Sequence, residues 1–293
     1  GTISAAAARP EYQPASELNG GSIIEHLRSD SRVKVRMLAN PWLTGDHTKS
    51  IIVDDRVAFV GGMNIGREYR YEWHDLMFQL QGPVVDVLRK DFDKTWARQS
   101  PLGDFLALMK TVRPVNTVTD GMYPVRVLTT SPQDAQIFRA QLAAIRASQQ
   151  RIYIQNAYFT SDAVLYELVM ARRRGVDVRV ILPLRSDFGL IDRANAIAAN
   201  KMIANGIRVY IYPKMSHVKA AVYDGWACLG SANFDTLSLQ VNRELNIATA
   251  HPPFVDDLLQ RVFLADMERS VELTEPFPSH WHDFLTDLIA DTL

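Results

Sequence analysis

One cysteine in 293 residues, Cys228, excludes an internal disulfide framework and a cysteine-based zinc site. Its neighbours Ala227 and Leu229 make it a small buried hydrophobe. Neither sign of charge is in excess: 32 basic residues stand against 33 acidic ones, a net charge of -1. The chain therefore has no global positive field to draw it unspecifically to nucleic acid, which is disfavoured as a partner. The local cluster Arg172, Arg173 and Arg174 reads equally as a solvated helix end set favourably against the helix dipole. No apolar run reaches the ~18 residues that cross a bilayer, and no charged segment followed by an apolar stretch marks a signal peptide. No His, Asp and Glu cluster has metal-ligand spacing, and no metal or other cofactor is expected. What remains, 47% hydrophobic and 22% charged residues, is an ordinary globular composition long enough for two core-bearing halves.

Residues 1–21, with an alanine run, two prolines and a Gly-Gly pair, read as a tail or linker. An N-terminal half-domain is expected over 22–112, a linker over 113–123 and a C-terminal half-domain over 124–293. In the first half the pattern predicts a helix over Ile23 to Arg28 and a strand over Val33 to Leu38. The second half alternates strand and helix periods like stacked βα units. Strands are predicted near Val125 to Leu128, Ile152 to Gln155, Val176 to Leu182 and Ile207 to Tyr212. Helices are predicted near Asp134 to Ser148, Asp162 to Arg174 and Ile191 to Ala204.

An internal repeat organises the whole. His47-Thr48-Lys49-Ser50-Ile51-Ile52-Val53-Asp54 returns as His217-Val218-Lys219-Ala220-Ala221-Val222-Tyr223-Asp224. After a short apolar strand, Gly61-Gly62-Met63-Asn64 returns as Gly230-Ser231-Ala232-Asn233. Only 46 residues precede His47, whereas about 90 run from Val125 to His217, so two βα units are expected to be missing from the first half.

Residues two apart on a strand share a face, so each His is presented with its Lys. Asp54 and Asp224 sit where a turn folds the chain back as a hairpin, and are assigned to the turns. The returning strands bring Asn64 to the level of His47 and Asn233 to the level of His217. Asp75 follows His47 by 28 residues and Glu244 follows His217 by 27, the one-residue difference already present at the two Asn positions. A carboxylate accepting from imidazole Nδ1 fixes the tautomer and stabilises the protonated ring. Lys49, Lys219, Asn64 and Asn233, with Ser231, suit the oxygens of an anionic phosphodiester. One neutral imidazole can attack phosphorus while the other, protonated, donates to the leaving oxygen. Spacing does not choose between them.

These residues resemble the phospholipase D superfamily, whose signature is a twice-occurring HxKxxxxD followed by G-[GS]-x-N. The likeness runs from about Val33 to Ala250. Within it the chain looks most like bacterial cardiolipin synthases, through Gly61 to Gly66 with Tyr69, His74-Asp75, Leu80 to Pro83, Asn156 to Phe159, Arg174 to Val178, Gly230 to Asp235, Ser238 and Asn242 to Asn246. The resemblance implies a duplicated, pseudo-twofold α/β fold of mixed sheets flanked by helices, with the active site at the seam between halves. It further implies phosphatidyl transfer from a phosphatidylglycerol-like phospholipid to an alcohol or lipid acceptor through a phosphohistidine, or hydrolysis when water wins. His47 is then the nucleophile and His217 the general acid and base. The expected location is bacterial, peripheral at the membrane. A nuclease or other phosphodiesterase built from the same parts is the rival reading.

At the C-terminus Trp281, Phe284, Leu285, Leu288 and Ile289 form one apolar helical face. Packing on the domain core is the commoner use of such a face and is expected here, with a lipid interface as the alternative.

Overall fold

The computed structural model describes residues 23–29, 31–36, 45–98, 123–281 and 283–290. The expected tail 1–21 and nearly all of the linker 113–123 lie outside them. Two sheets carry the fold. The smaller is an antiparallel meander of β1 (Ser50–Val53), β2 (Val57–Gly61) and β3 (Met77–Gln81). The larger has nine strands: β4 (Arg126–Ser131), β5 (Asp134–Ala135), β6 (Arg151–Asn156), β7 (Asp177–Pro183), β8 (Arg208–Tyr212), β9 (Lys219–Tyr223), β10 (Trp226–Gly230), β11 (Glu244–Thr249) and β12 (Val271–Glu272). They lie in the order β12-β8-β7-β6-β9-β10-β11-β4-β5. β6, β7 and β8 are parallel to one another; the meander β9-β10-β11 joins them antiparallel, making the sheet mixed.

The β9-β10-β11 meander repeats β1-β2-β3, whereas the parallel strands of the second half have no counterpart among the described residues. Those parallel strands are buried on both faces, which is why they read as near-continuous apolar runs such as Val178 to Leu182. Helices Gln136–Ala147, Asp162–Arg173 and Gly189–Ala204 fall where the periodicity places them. The middle one is capped by Ser161, whose side chain accepts from Val164 N, and is followed by Gly175 at φ +94°. One hydrophobic core joins the sheets: Ala58, Val60, Phe78 and Leu88 of the first half pack with Val218, Val222, Leu229, Ile247 and Phe263 of the second. The seam is therefore a packed interior and not a hinge surface.

Two expectations fail. Residues 33–36 form no strand, and the rest of the predicted strand, Met37 and Leu38, is outside the described residues. The C-terminal helix Asp283–Ala290 docks by its polar side. Asp283 pairs with Arg193 and Asp287 with Lys201, both on helix Gly189–Ala204, and Thr286 is buried. Trp281, Phe284 and Leu285 are left 90%, 75% and 52% exposed, while the side chains of Leu288 and Ile289, the rest of the predicted apolar face, lie outside the described residues. Two ion pairs and a buried hydroxyl hold the start of this helix to the protein, because the facing helix presents Arg193 and Lys201 to Asp283 and Asp287.

Candidate active site

Each half-site grows from one hairpin. In the first, Val53 pairs Val57 and three residues make the turn; in the second, Tyr223 pairs Trp226 and two residues make it. That single extra turn residue accounts for the one-residue offset between the repeats. Asp54, Asp55 and Asp224 all adopt positive φ, near +50°, a conformation short polar side chains tolerate. The Asp224 carboxylate also accepts from the backbone N–H groups of Gln149, Gln150 and Arg151. These bonds hold its pKa low against the opposing effect of burial. Beyond each hairpin the chain passes so close to the next strand that only glycine fits: a Cβ on Gly61 would meet Leu76 O at 2.2 Å, and one on Gly230 would meet Leu245 O at 2.3 Å.

The carboxylates cross the seam. His47 Nδ1 lies 2.8 Å from Glu244 Oε1, and His217 Nδ1 lies 2.7 Å from Asp75 Oδ2. Sequence spacing counts each carboxylate from the His of its own half, but the fold gives it to the other. A carboxylate oxygen accepting at Nδ1 places the ring proton there and leaves Nε2 of each imidazole for chemistry. The lysines repeat one another as closely: Lys49 Nζ donates to His47 O at 2.7 Å and Lys219 Nζ to His217 O at 2.8 Å. Both lie in the fields of Glu244 and Asp75, so the two half-sites form one charge cluster.

Burial then differentiates the halves. The His47 side chain is 33% exposed and that of His217 only 5%. Desolvation, reinforced by the Lys219 ammonium, pushes His217 down to about 4 against the pull of its bond to Asp75, so the ring is neutral at pH 7. Desolvation also lowers Lys49 to about 8 and Lys219 to about 7, the carboxylates opposing it.

The amides diverge as well. Asn64 is exposed and donates from Nδ2 to Tyr69 Oη at 2.7 Å, whereas Asn233 is buried with its Oδ1 unpartnered. Ser231 requires a correction. It is completely buried, its hydroxyl donates to Glu244 Oε2 and its oxygen accepts from Leu245 N at 3.0 Å. The hydroxyl steadies the His47 partner and has no donor left for a phosphate. At the equivalent place Gly62 leaves room for Asp75, whose Oδ1 would lie 2.4 Å from an added Cβ.

Sequence reasoning left several groups without a role. Tyr69 and Trp73 wall His217, with ring centroids 5.3 and 5.5 Å from the imidazole. Tyr69 stood within the family likeness, but nothing in the sequence singled out Trp73. Asp235, buried and raised to about 6 by desolvation, accepts from Ser238 N and Oγ. A π-helical turn, Leu237–Val241, delivers Asn242, whose Oδ1 accepts from Gly45 N at 2.8 Å and so tethers the segment leading to His47.

Comparison with known proteins gives the family. A family model described as cardiolipin synthase, phospholipase D-like domain, matches residues 142–266. Cardiolipin synthase A of Pseudomonas putida KT2440 is 32% identical over 243 residues, 78% of this chain and 48% of that protein. Cardiolipin synthase A of Pseudomonas aeruginosa LESB58 is 33% identical over 244 residues, again 78% of this chain and 48% of the relative. The chain thus spans about half the length of the relatives it matches. Among solved structures, phosphatidylserine synthase of Haemophilus influenzae Rd KW20 superposes with a TM-score of 0.59 at 15% identity, covering 85% of this chain and 69% of that one, a likeness of fold. With its twin His-Lys hairpins, crossed carboxylates and mixed α/β architecture, the chain belongs to the phospholipase D superfamily and is similar to bacterial cardiolipin synthases.

Proposed function

We propose that the protein transfers a phosphatidyl group from one phospholipid to the hydroxyl of an alcohol or of a second lipid headgroup. The observation that carries this reading is the pair of crossed His–carboxylate bonds, which set two Nδ1-protonated imidazoles around one cluster with two desolvated lysines. An entering phosphodiester anion returns Lys49 and Lys219 to full charge, and its oxygens accept hydrogen bonds from both ammonium groups and from the Nδ2–H groups of Asn64 and the buried Asn233. Following the family resemblance, His47 Nε2 attacks phosphorus, the P–O bond to the departing headgroup breaks, and His217 gives that oxygen a proton. The acceptor hydroxyl then passes its proton to His217 and attacks the phosphohistidine, freeing His47. His217 on its own is neutral at pH 7; the negative charge of the substrate offsets the Lys219 field and favours its protonation.

The same resting neutrality favours a second order of events, with His217 as nucleophile and His47 as proton donor. Rapid quenching with radiolabelled substrate, followed by mapping of the acid-labile phosphate, decides: label on His47 supports the first order, label on His217 the second, and label on neither removes the covalent step.

The lipid reading draws support from the identity to cardiolipin synthases and from the absence of the basic excess that phosphate tracking along nucleic acid needs. Ile65, next to Asn64, is 98% exposed, and the outward face of Trp281, Phe284 and Leu285 suits peripheral contact with a phospholipid surface. The deciding assay incubates the protein with phosphatidylglycerol vesicles, with and without added alcohol, beside a single-stranded DNA digest. New phosphatidyl products resolved by mass spectrometry are expected; DNA cleavage without lipid turnover gives the site to the nuclease reading.

A further inference from the structure

The residue before each orienting carboxylate has its own work at the seam. His74 precedes Asp75, and Arg243 precedes Glu244. The backbone treats them alike. His47 N donates to Arg243 O at 2.9 Å and Arg243 N to Gly45 O at 2.9 Å; His217 N donates to His74 O at 2.7 Å and His74 N to Met215 O at 3.0 Å. Each is thus stitched to the segment that carries the opposite half's catalytic His.

Their side chains then run to a buried aspartate, again across the seam. Arg243 donates to Asp91 on helix Val84–Arg98, which belongs to the first half, and its Nε lies 3.4 Å from Asp46. His74 Nε2 lies 2.5 Å from Asp266 Oδ2 on helix Ala265–Arg269, which belongs to the second half. Asp266 is 1% exposed and accepts from Gln155 Nε2 at 2.9 Å; the same amide donates to Ser216 Oγ at 2.9 Å. The His74 ring also stacks on Tyr212 at 5.0 Å. Neither His74 nor Arg243 takes part in the chemistry described above.

We propose that His74–Asp266 and Arg243–Asp91 are reciprocal clamps: positioning pairs that lock the two crossing segments, so that Asp75 stays on His217 and Glu244 stays on His47. The physical need is plain. Asp75 and Glu244 reach their imidazoles from the other half, so any slip of one half along the other lengthens both bonds at once. Backbone bonds fix the height of each segment, and the side-chain pairs fix its rotation about the strand axis. The residues differ in kind: guanidinium is permanently charged, whereas the His74 clamp is made by a ring that stacks as well as bonds. The clamps rest on the reaction proposed above for their catalytic meaning, though not for their existence.

The test is a pair of double-mutant cycles on the whole chain, with turnover of bis-p-nitrophenyl phosphate as readout. His74→Gln and Asp266→Asn are each expected to lower kcat by about 10-fold or more, as loss of an orienting partner does elsewhere, with KM nearly unchanged. Placed on Asp75→Asn, the same changes are expected to cost less than about 2-fold, because the partner they position has already lost its charge. Arg243→Gln behaves likewise against Glu244→Gln. Equal losses in both backgrounds would mean a general packing role and overturn the proposal, as would no loss at all. A second measurement needs no turnover. The downfield Nδ1 proton of His217 in the NMR spectrum is expected to shift or vanish in His74→Gln and to persist in Arg243→Gln; persistence in both overturns the clamp. If Asp75→Asn retains wild-type turnover while the His217 resonance responds to His74→Gln, the clamp stands and the proposed reaction falls.

Discussion

The two hairpins carry the same His, Lys and Asn but live in different solvents. β1 is an edge strand whose residues alternate between half-buried and exposed, whereas β9 lies between β6 and β10 with every residue buried. The consequence is electrostatic. Lys219 falls further than Lys49, to about 7 against about 8, with desolvation the leading cause for both. His217 is held neutral in a sealed position while His47 keeps a third of its surface. Duplication therefore supplies equal parts, and the sheet around each copy sets its chemistry. A pseudo-symmetric site can thus give its two halves different environments while both keep the same His, Lys and Asn.

The largest expected effect tests whether both halves are needed. His47→Asn and His217→Asn should each lower phosphodiester turnover by about 10⁴-fold, and the double variant should be hardly worse than either, as for residues that act as a unit. If one single variant keeps a tenth of wild-type kcat, the halves are not partners in one reaction. The next effect is on stability. Gly230→Ala drives a Cβ against Leu245 O inside the nine-stranded sheet, and Gly61→Ala does so against Leu76 O in the three-stranded one. Overpacking of this kind costs about 3 kcal/mol where the backbone cannot move. Urea unfolding should show the greater loss at Gly230, since the small sheet can shift; equal losses would show that the first hairpin is as rigidly embedded as the second.

A smaller effect separates the lysines by pH. Lys219 is lowered from 10.5 to about 7, so between those values the unfolded chain binds a proton that the folded chain does not, and stability from this group rises with pH. The slope contributed by one such proton is at most about 1.4 kcal/mol per pH unit. Lys219→Met should flatten the curve from about pH 7 upward, and Lys49→Met only from about pH 8. Identical curves for the two variants would remove the claimed difference in burial.

Much of this was legible because the motif residues are locally determined. The hairpins follow from alternation around Asp54 and Asp224, and the parallel strands from apolar runs between helical periods. The close approach at Gly61 and Gly230 follows from glycine at matching places. What could not be read was anything decided across the seam. The offsets to Asp75 and Glu244 are measured along one half, so they carry no information on which imidazole each carboxylate reaches. Ser231 looked like a phosphate donor because its nearest acceptor, Glu244, is 13 residues on and becomes adjacent only when β10 pairs β11. The failed strand at 33–36 has alternation without a partner strand among the described residues, and alternation alone does not make a ladder.

The C-terminal helix gives the smallest expected effect and the sharpest contrast with β9. Amphipathic spacing says that two faces differ; it does not say which one is turned inward, and here Arg193 and Lys201 draw Asp283 and Asp287 toward the protein. Phe284→Ser and Trp281→Ser should therefore leave the folding free energy within about 0.5 kcal/mol, as substitutions at exposed sites do, while reducing flotation with phosphatidylglycerol vesicles. A buried aromatic in that place would cost several times more, about 3–5 kcal/mol on truncation to a small residue. Urea unfolding of Phe284→Ser thus discriminates by a wide margin. A loss of the larger size would mean that the apolar face is the docked one, and would return this helix to the core that its sequence pattern first suggested.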